Sequence, residues 1–406
     1  MNKPEVWFIN HYASTPSCGF GGRTYYFAKE LSKRGYQVKL IICNPHHLLR
    51  DAIPQNSSIE ERLIDDVNVV FLKGIQYQSA HSLFRIINWF VFSVRLRLLH
   101  KRYRDTPPNF IFCSSPSLIS FEGAYYLSKK FKSRLIFDVR DIWPMTLIEL
   151  GGKSPKNPLI RVMSLIERRA YLKSDYITSN LKNFDLHLGE LQIDKSKFRW
   201  IPNGFDRSEL YKDISSSERE SGHKNFVVGY TGTFGLANAI DLMLEAALLL
   251  KNHKDIMFKL VGEGRELPAM QSFCKLHNLT NVEFLDFVPK NKIHETLRDF
   301  DVLMVGAMKS SLYKYGVSPN KLFDYFAAGK PIIYYIDSPN FNPIKDADCG
   351  IEVSSSDCEE LSEAILQIKN MPIDERTKMG LRGREYANKN FDYSILTDKV
   401  EALIYD

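Results

Sequence analysis

Long apolar runs are missing from this chain. Its most apolar stretch, Leu83 to Leu99, is broken by Arg85, Arg95 and Arg97, so it does not read as a bilayer span. Cysteine is sparse. Cys18, Cys43, Cys113, Cys274, Cys349 and Cys358 lie scattered with no Cys-x-x-Cys pair, which argues against a zinc site or a disulfide framework and fits a reducing compartment. Neither a Gly-x-Gly-x-x-Gly fingerprint nor a Gly-Lys-Ser/Thr follows a predicted strand, so dinucleotide and P-loop readings are weak. Met1 leads almost at once into Val6-Trp-Phe-Ile, too short a run-up for a secretory leader. Acid is locally absent: no Asp or Glu occurs between Asp66 and Asp105.

What is present describes a globular protein of ordinary composition. The 406 residues suffice for two domains, with 44% hydrophobic and 25% charged residues. The net charge of +6 hides an asymmetry. Residues 1–205 hold 30 Lys+Arg and 17 Asp+Glu, or +13, which leaves 24 and 31, or −7, for residues 206–406. The two halves therefore suit different partners. Nucleic acid, acidic lipid headgroups or a diphosphate-bearing substrate would each fit the basic half.

Apolar runs and turn signals alternate as in a parallel α/β protein. Val6–Ile9, Val38–Ile42, Val69–Leu72, Phe110–Cys113 and Leu135–Phe137 read as strands, with Tyr176–Thr178 and Arg199–Ile201 as shorter ones. The stretch from Asp51 to Ile64 reads as a polar loop. Arg207 to Lys224 is rich in Ser and Glu and makes the best boundary. The alternation then restarts with Phe226–Tyr230, a helix over Ala239–Leu250, and strands at Met257–Val261, Val282–Leu285, Val302–Val305 and Pro331–Tyr335. Leu381 to Ile404 reads mostly as helix.

Several stretches carry residues suited to chemistry. In Ser318 to Ile333, Ser318 reads as a helix cap and Pro319 as the first helical residue, with Leu322, Phe323 and Phe326 at helical spacing and Gly329 as the stop. A helix start of this kind favours an anion such as a phosphate, although an ordinary core helix and strand would look the same. Two glycine loops follow strands, Gly19-Phe-Gly21-Gly22 and Gly229-Tyr-Thr-Gly232-Thr233-Phe234-Gly235; each alone is also a simple turn. In Val261-Gly-Glu-Gly-Arg265 the guanidinium is placed to hold two phosphate oxygens, though surface arginines are commonly just solvated. Asp138-Val-Arg140-Asp141-Ile-Trp143-Pro144 follows a strand end, where α/β sheets collect ligands. Its two carboxylates can position a hydroxyl or hold a proton, or they can form a salt-bridged loop. Trp200-Ile-Pro-Asn-Gly-Phe-Asp206 is a turn and a candidate hinge. Phe84 to Arg104 is apolar with cations toward its end, which fits either a membrane-surface helix or a sheet-covering helix. His11, at a strand end, reads as structural.

In this order the motifs resemble the family-4 glycosyltransferases, over nearly the whole chain. The marks are Gly21-Gly22, Asp138-Val-Arg-Asp-Ile-Trp-Pro, Ile201-Pro-Asn-Gly-Phe-Asp206, Gly229-Tyr-Thr-Gly-Thr-Phe-Gly235, Val261-Gly-Glu-Gly264 and Lys321-Leu-Phe-Asp-Tyr-Phe-Ala-Ala-Gly-Lys-Pro331. The resemblance implies an α/β GT-B fold: two facing Rossmann-like domains, the first (1–205) binding the acceptor, a linker (206–224), the second (225–385) binding a nucleotide sugar, and a C-terminal helix (386–406) crossing back to the first. It implies transfer with retention at the anomeric carbon and no metal or other cofactor, and no convincing Asp-x-Asp motif stands against this. The chain departs from the family where a Glu-x7-Glu pair is common: Asp324 holds the second place and Gly316 the first. The usual Arg and Lys after the first strand of the second domain are also replaced, around Thr231 and Asn238. These departures resemble a subset that builds bacterial surface polysaccharides such as O-antigen and capsule.

On that resemblance, Gly232, Thr233, Phe234, Gly235, Arg265, Ser318, Pro319, Asn320, Lys321 and Asp324 are expected to bind the donor. Lys321, Arg265 and the backbone N–H groups of Thr233 to Gly235 would neutralise the diphosphate, and Asp324 would hold the ribose. Gly21, Gly22, Arg23, Arg140 and Trp143 are expected at the acceptor. Asp141, with Asp138 as the alternative, would orient it, and Lys321 would act at the reacting phosphate. The donor is expected to be a UDP-sugar, N-acetylated by preference, and the acceptor a polyprenyl-diphosphate-linked saccharide. The chain would be cytoplasmic and peripheral at the inner membrane face through Phe84–Arg104, with no nucleic-acid partner. Two rivals remain open on sequence: a nucleotide-sugar epimerase or phosphorylase-like enzyme of the same fold, and a non-enzymatic membrane-docking partner of an assembly complex.

Overall fold

The computed structural model describes residues 3–19, 21–49, 53–77, 82–207 and 225–405. Most of the expected boundary stretch, residues 208–224, lies outside the described residues. The chain divides into two compact units, residues 1–202 with 393–406, and residues 203–392. The first division thus falls at Pro202/Asn203, a few residues before the stretch expected from composition, and the second at Asp392/Tyr393.

The first unit holds β1 (Glu5–Ile9), α1 (Arg23–Lys33), β2 (Gln37–Asn44), β3 (Ile59–Ile64), β4 (Val67–Lys73), α2 (Leu83–Arg102), β5 (Phe110–Ser114), α3 (Leu118–Phe131), β6 (Arg134–Val139), α4 (Met145–Glu149), α5 (Pro158–Lys173), β7 (Tyr176–Ser179), α6 (Phe184–Glu190) and β8 (Phe198–Trp200). Its eight strands lie in the order β3-β4-β2-β1-β5-β6-β7-β8. All pair in parallel except β3 with β4. The central strands are continuous apolar runs because helices cover both faces of the sheet. β3 corrects the loop expected up to Ile64. It is an edge strand whose Ile-Glu-Glu-Arg-Leu-Ile sequence lacks a buried run, joined to β4 by Asp65 and Asp66 at φ 48° and 64°. Both turn residues are left-handed, as a tight two-residue hairpin requires.

The second unit holds β9 (Phe226–Thr231), α7 (Ile240–Leu249), β10 (Ile256–Val261), α8 (Leu267–Leu276), β11 (Val282–Leu285), α9 (Ile293–Arg298), β12 (Val302–Gly306), α10 (Asn320–Ala328), β13 (Ile332–Tyr335), α11 (Pro343–Ala347), β14 (Gly350–Glu352), α12 (Cys358–Asn370) and α13 (Ile373–Asn390). Its sheet is wholly parallel, in the order β11-β10-β9-β12-β13-β14. The core gathers Val228, Tyr230 and Phe258 of the sheet with Met243 and Ala247 of α7 and Leu361 and Ile365 of α12.

The single C-terminal helix expected over Leu381–Ile404 is two helices. α13 stops at Asn390, Phe391 buries itself against Phe323 with ring centroids 5.1 Å apart, and α14 (Tyr393–Tyr405) begins after Asp392. α14 belongs to the first unit. There Tyr393 stacks on Tyr26 at 4.8 Å, and Glu401 accepts from Arg34 at 2.5 Å and from the Tyr36 hydroxyl at 2.6 Å.

Candidate active site

Open parallel sheets bind ligands beyond the strand C-termini where the strand order reverses. In the second unit that point is β9, flanked by β10 and β12. The loop Gly232–Gly235 leaves β9 there and locks into the loop that follows β10. Phe234 N donates to Glu263 O at 2.8 Å, Gly232 N to Val261 O at 2.9 Å, and Glu266 N to Phe234 O at 3.1 Å. The approach is too close for side chains. A Cβ on Gly262 would lie 1.9 Å from Gly232 O, and one on Gly264 2.2 Å from Phe234 O.

This locking corrects the expected row of free donors. The N–H groups of Gly232 and Phe234 hold the β10 loop, and Gly235 N donates to Thr233 O at 3.1 Å. The Phe234 side chain is core. Of the three N–H groups assigned to a phosphate, only that of Thr233 has no hydrogen bond to the described protein.

Lys321 reaches this loop from the first turn of α10. Its Nζ donates to the Tyr230 hydroxyl at 2.6 Å and to Asn238 Oδ1 at 3.1 Å, and stands 3.9 Å from the centre of the Tyr230 ring. It also sits 3.0 Å from where a Gly232 Cβ would be, and Gly232 holds φ +140°, a backbone conformation that strains any residue with a side chain. The Tyr230 hydroxyl in turn donates to Thr233 O at 2.9 Å, and Asn238 Nδ2 donates to the same oxygen at 3.0 Å. Among the described residues, none of the partners of Lys321 is a carboxylate. The side chain is half-buried, but its ammonium is enclosed by protein, and desolvation pushes its pKa down to about 7. A cation held this way favours an incoming anion. Tyr230 and Asn238 were not anticipated as site residues; nothing but the fold brings them to Lys321.

α10 starts one residue later than expected. Pro319 is its N-cap, Asn320 its first residue, and Gly329 closes it at φ 65°. Ser318 does not cap. Its hydroxyl accepts from Asn203 N at 3.3 Å, while Asn203 Nδ2 donates to Ser318 O and Asn320 Oδ1, both at 2.9 Å. The Pro-Asn-Gly turn therefore braces the start of α10. Asp324, expected to hold a ribose, is nearly buried and grips Lys290 through both oxygens. Arg265 is exposed just past Gly264.

The first unit splits its candidates. Asp138 and Arg23 come together as a buried ion pair at 3.0 Å. Asp138 also accepts from Ser114 at 3.0 Å and Thr178 at 2.9 Å, and Arg23 Nη1 donates to Ile201 O at 2.9 Å. Their hydrogen-bonding capacity is directed inward. Asp138, the alternative group expected to orient the acceptor, and Arg23, an expected acceptor contact, thus tie β5, β6 and β7 to α1. Gly21 and Gly22 do open α1, at φ 69° and 105°, and the Gly22 carbonyl accepts from Tyr25 and Tyr26. Asp141 is exposed beyond the C-terminus of β6, and Arg140 is half-buried, with its Nε unpartnered among the described residues. Trp143 packs edge-on against Trp89 at 5.9 Å, with the Arg85 guanidinium 5.7 Å from its ring. Trp89 Nε1 donates to the Tyr12 hydroxyl at 2.6 Å. His11, beside Tyr12 and Phe92, is fully buried with neither ring nitrogen partnered among the described residues, and burial lowers its pKa well below the ordinary value.

Two family models match consecutive parts of the chain: Glycosyltransferase Family 4 over residues 19–209 and Glycosyl transferases group 1 over residues 212–386. The chain is a member of the GT-B glycosyltransferases. Among solved structures, sucrose-phosphate synthase from Thermosynechococcus elongatus superposes with a TM-score of 0.76 at 15% identity, covering 99% of this chain and 98% of that one. Anabaena HepE in complex with UDP and glucose gives 0.68 at 11% identity, over 99% of this chain and 100% of that one. Likeness at such identities shows the fold alone. A Bacillus subtilis protein assigned by name to teichuronic acid biosynthesis as a glycosyltransferase, TuaH, is 25% identical over 221 residues, 53% of each chain. The chain spans about half the length of the curated relatives it matches.

Proposed function

We propose that this chain transfers a sugar from a UDP-sugar, N-acetylated by preference, to a lipid-linked saccharide in bacterial surface polysaccharide synthesis. In this reading, transfer retains the anomeric configuration and uses no metal ion. The observation that carries it is Lys321: an ammonium with no carboxylate partner among the described residues, on the first turn of a helix, at the loop that leaves the switch-point strand. The UDP bound in HepE and the polysaccharide role in the name of TuaH support the choice of donor and pathway.

As the bond between the anomeric carbon and the diphosphate oxygen breaks, negative charge grows on the diphosphate. Lys321, Arg265 and the Thr233 N–H would stabilise it where it develops. The acceptor hydroxyl attacks from the same face, and its proton passes to the departing phosphate oxygen, so the scheme calls on no strong protein base. Asp141 would orient that hydroxyl by accepting its hydrogen bond. The test is a panel of nucleotide sugars incubated with the protein and followed for slow hydrolysis. One UDP-sugar is expected to turn over, and Lys321→Ala to abolish most of that turnover. No turnover of any member, or conversion to an epimer without acceptor, would overturn the reading.

A further inference from the structure

α2 is apolar on two opposite sides, and only one is covered. Its inner side buries Trp89, Phe92, Leu96 and Leu99 in the first unit. On its outer side Leu83, Phe84, Ile87, Phe90, Val94 and Leu98 are between 47% and 76% exposed. At 3.6 residues per turn, all of these but Phe84 fall within an arc of about 80°, opposite the buried side. Phe84 widens the stripe toward the helix start. Single exposed apolar residues are ordinary, but six on one stripe of one helix mark an interaction surface. No described helix is long and apolar enough to cross a membrane.

We propose that this outer side of α2 docks on an anionic lipid surface, with the helix lying in the plane of the headgroups. Charge selects the occupant. α2 contains no acidic residue and ends in His100, Lys101 and Arg102. Arg97, Lys101, Arg102 and Arg104 are exposed, and Arg97 and Lys101 border the stripe. Beside it on α3, the Tyr126 ring lies 5.5 Å from the Arg97 guanidinium and 5.7 Å from the Lys130 ammonium, adding cation and aromatic ring at headgroup level. An apolar stripe bordered by cations is what an interfacial helix presents to acidic lipid. A second copy of the chain fits less well, since α2 carries no acidic residue to meet these cations in either a parallel or an antiparallel two-fold contact. As a route to a lipid-linked acceptor the inference rests on the proposed function; as a surface it stands alone.

The experiment is co-sedimentation of the full chain with vesicles of phosphatidylcholine, with and without one third phosphatidylglycerol. The chain is expected to bind the mixed vesicles and leave the neutral ones, with binding falling as salt is raised. Ile87→Ser/Phe90→Ser/Val94→Ser should lose binding while keeping its far-ultraviolet circular dichroism. Arg97→Gln/Lys101→Gln should weaken binding by about fivefold per cation removed. No binding to mixed vesicles, or equal binding to both kinds, overturns the proposal. So does a dimer in sedimentation equilibrium that the serine variant dissociates. Vesicle binding needs no donor, so a protein that binds lipid but turns over no nucleotide sugar would refute the proposed function alone.

Discussion

Titrating UDP-sugar binding against pH tests Lys321 most directly. In the free protein its ammonium lies against Tyr230 and Asn238, and desolvation takes its pKa from 10.5 to about 7. That fall corresponds to roughly 4–5 kcal/mol of unfavourable charging. A diphosphate placed against the ammonium favours the charged form and returns the pKa toward its ordinary value. The bound state then holds the proton more tightly than the free state, so binding takes protons up. Uptake is expected to be about one-tenth of a proton at pH 6, about half at pH 7 and about nine-tenths at pH 8. Affinity should fall toward a limit of about tenfold per pH unit above 7. Tyr230 adds nothing in this window, because burial raises its phenol far above the ordinary range. Calorimetry in buffers of different ionisation heat reads the uptake directly, and Lys321→Met should remove it. No uptake at pH 8, or the same uptake in the methionine variant, would refute the assignment. The free fold itself should gain stability as pH rises from about 7 toward 10.5, since the unfolded chain holds the extra proton there.

Arg23→Ala leaves the buried Asp138 carboxylate without its cation and should cost about 3–5 kcal/mol in urea denaturation; a loss below about 1 kcal/mol would mean the pair does not hold the first unit together. Gly262→Ala sets a Cβ 1.9 Å from Gly232 O on a residue at φ +150°. It should push the donor loop off the β10 loop and weaken UDP-sugar binding by about tenfold or more, read by calorimetry; unchanged affinity would show that this locking does not shape the site.

Much of the architecture was legible because its signals are local. Buried parallel strands such as Val6–Ile9 and Phe226–Tyr230 are short apolar runs, and Gly262 and Gly264 stand where two loop backbones approach closely. Edge and boundary features were harder to read. β3 is half-polar because one edge faces solvent, and Phe391 ends α13 through packing against Phe323 rather than through a stop residue of its own.

Residue types and order by themselves marked two α/β halves, the basic character of the first, Lys321 and Arg265 as groups able to meet a phosphate, and Asp141 as one able to position a hydroxyl. Only the tertiary structure decided which groups face inward. It paired Asp138 with Arg23, tied Asp324 to Lys290, took two of the three expected loop N–H donors into backbone bonds, and set Asn203 against the start of α10. It also left one apolar side of α2 uncovered. The reason is physical: hydrogen bonds, ion pairs and burial are made between residues far apart in the chain, so a residue's type states what it can bond and only its neighbours in space state what it does bond.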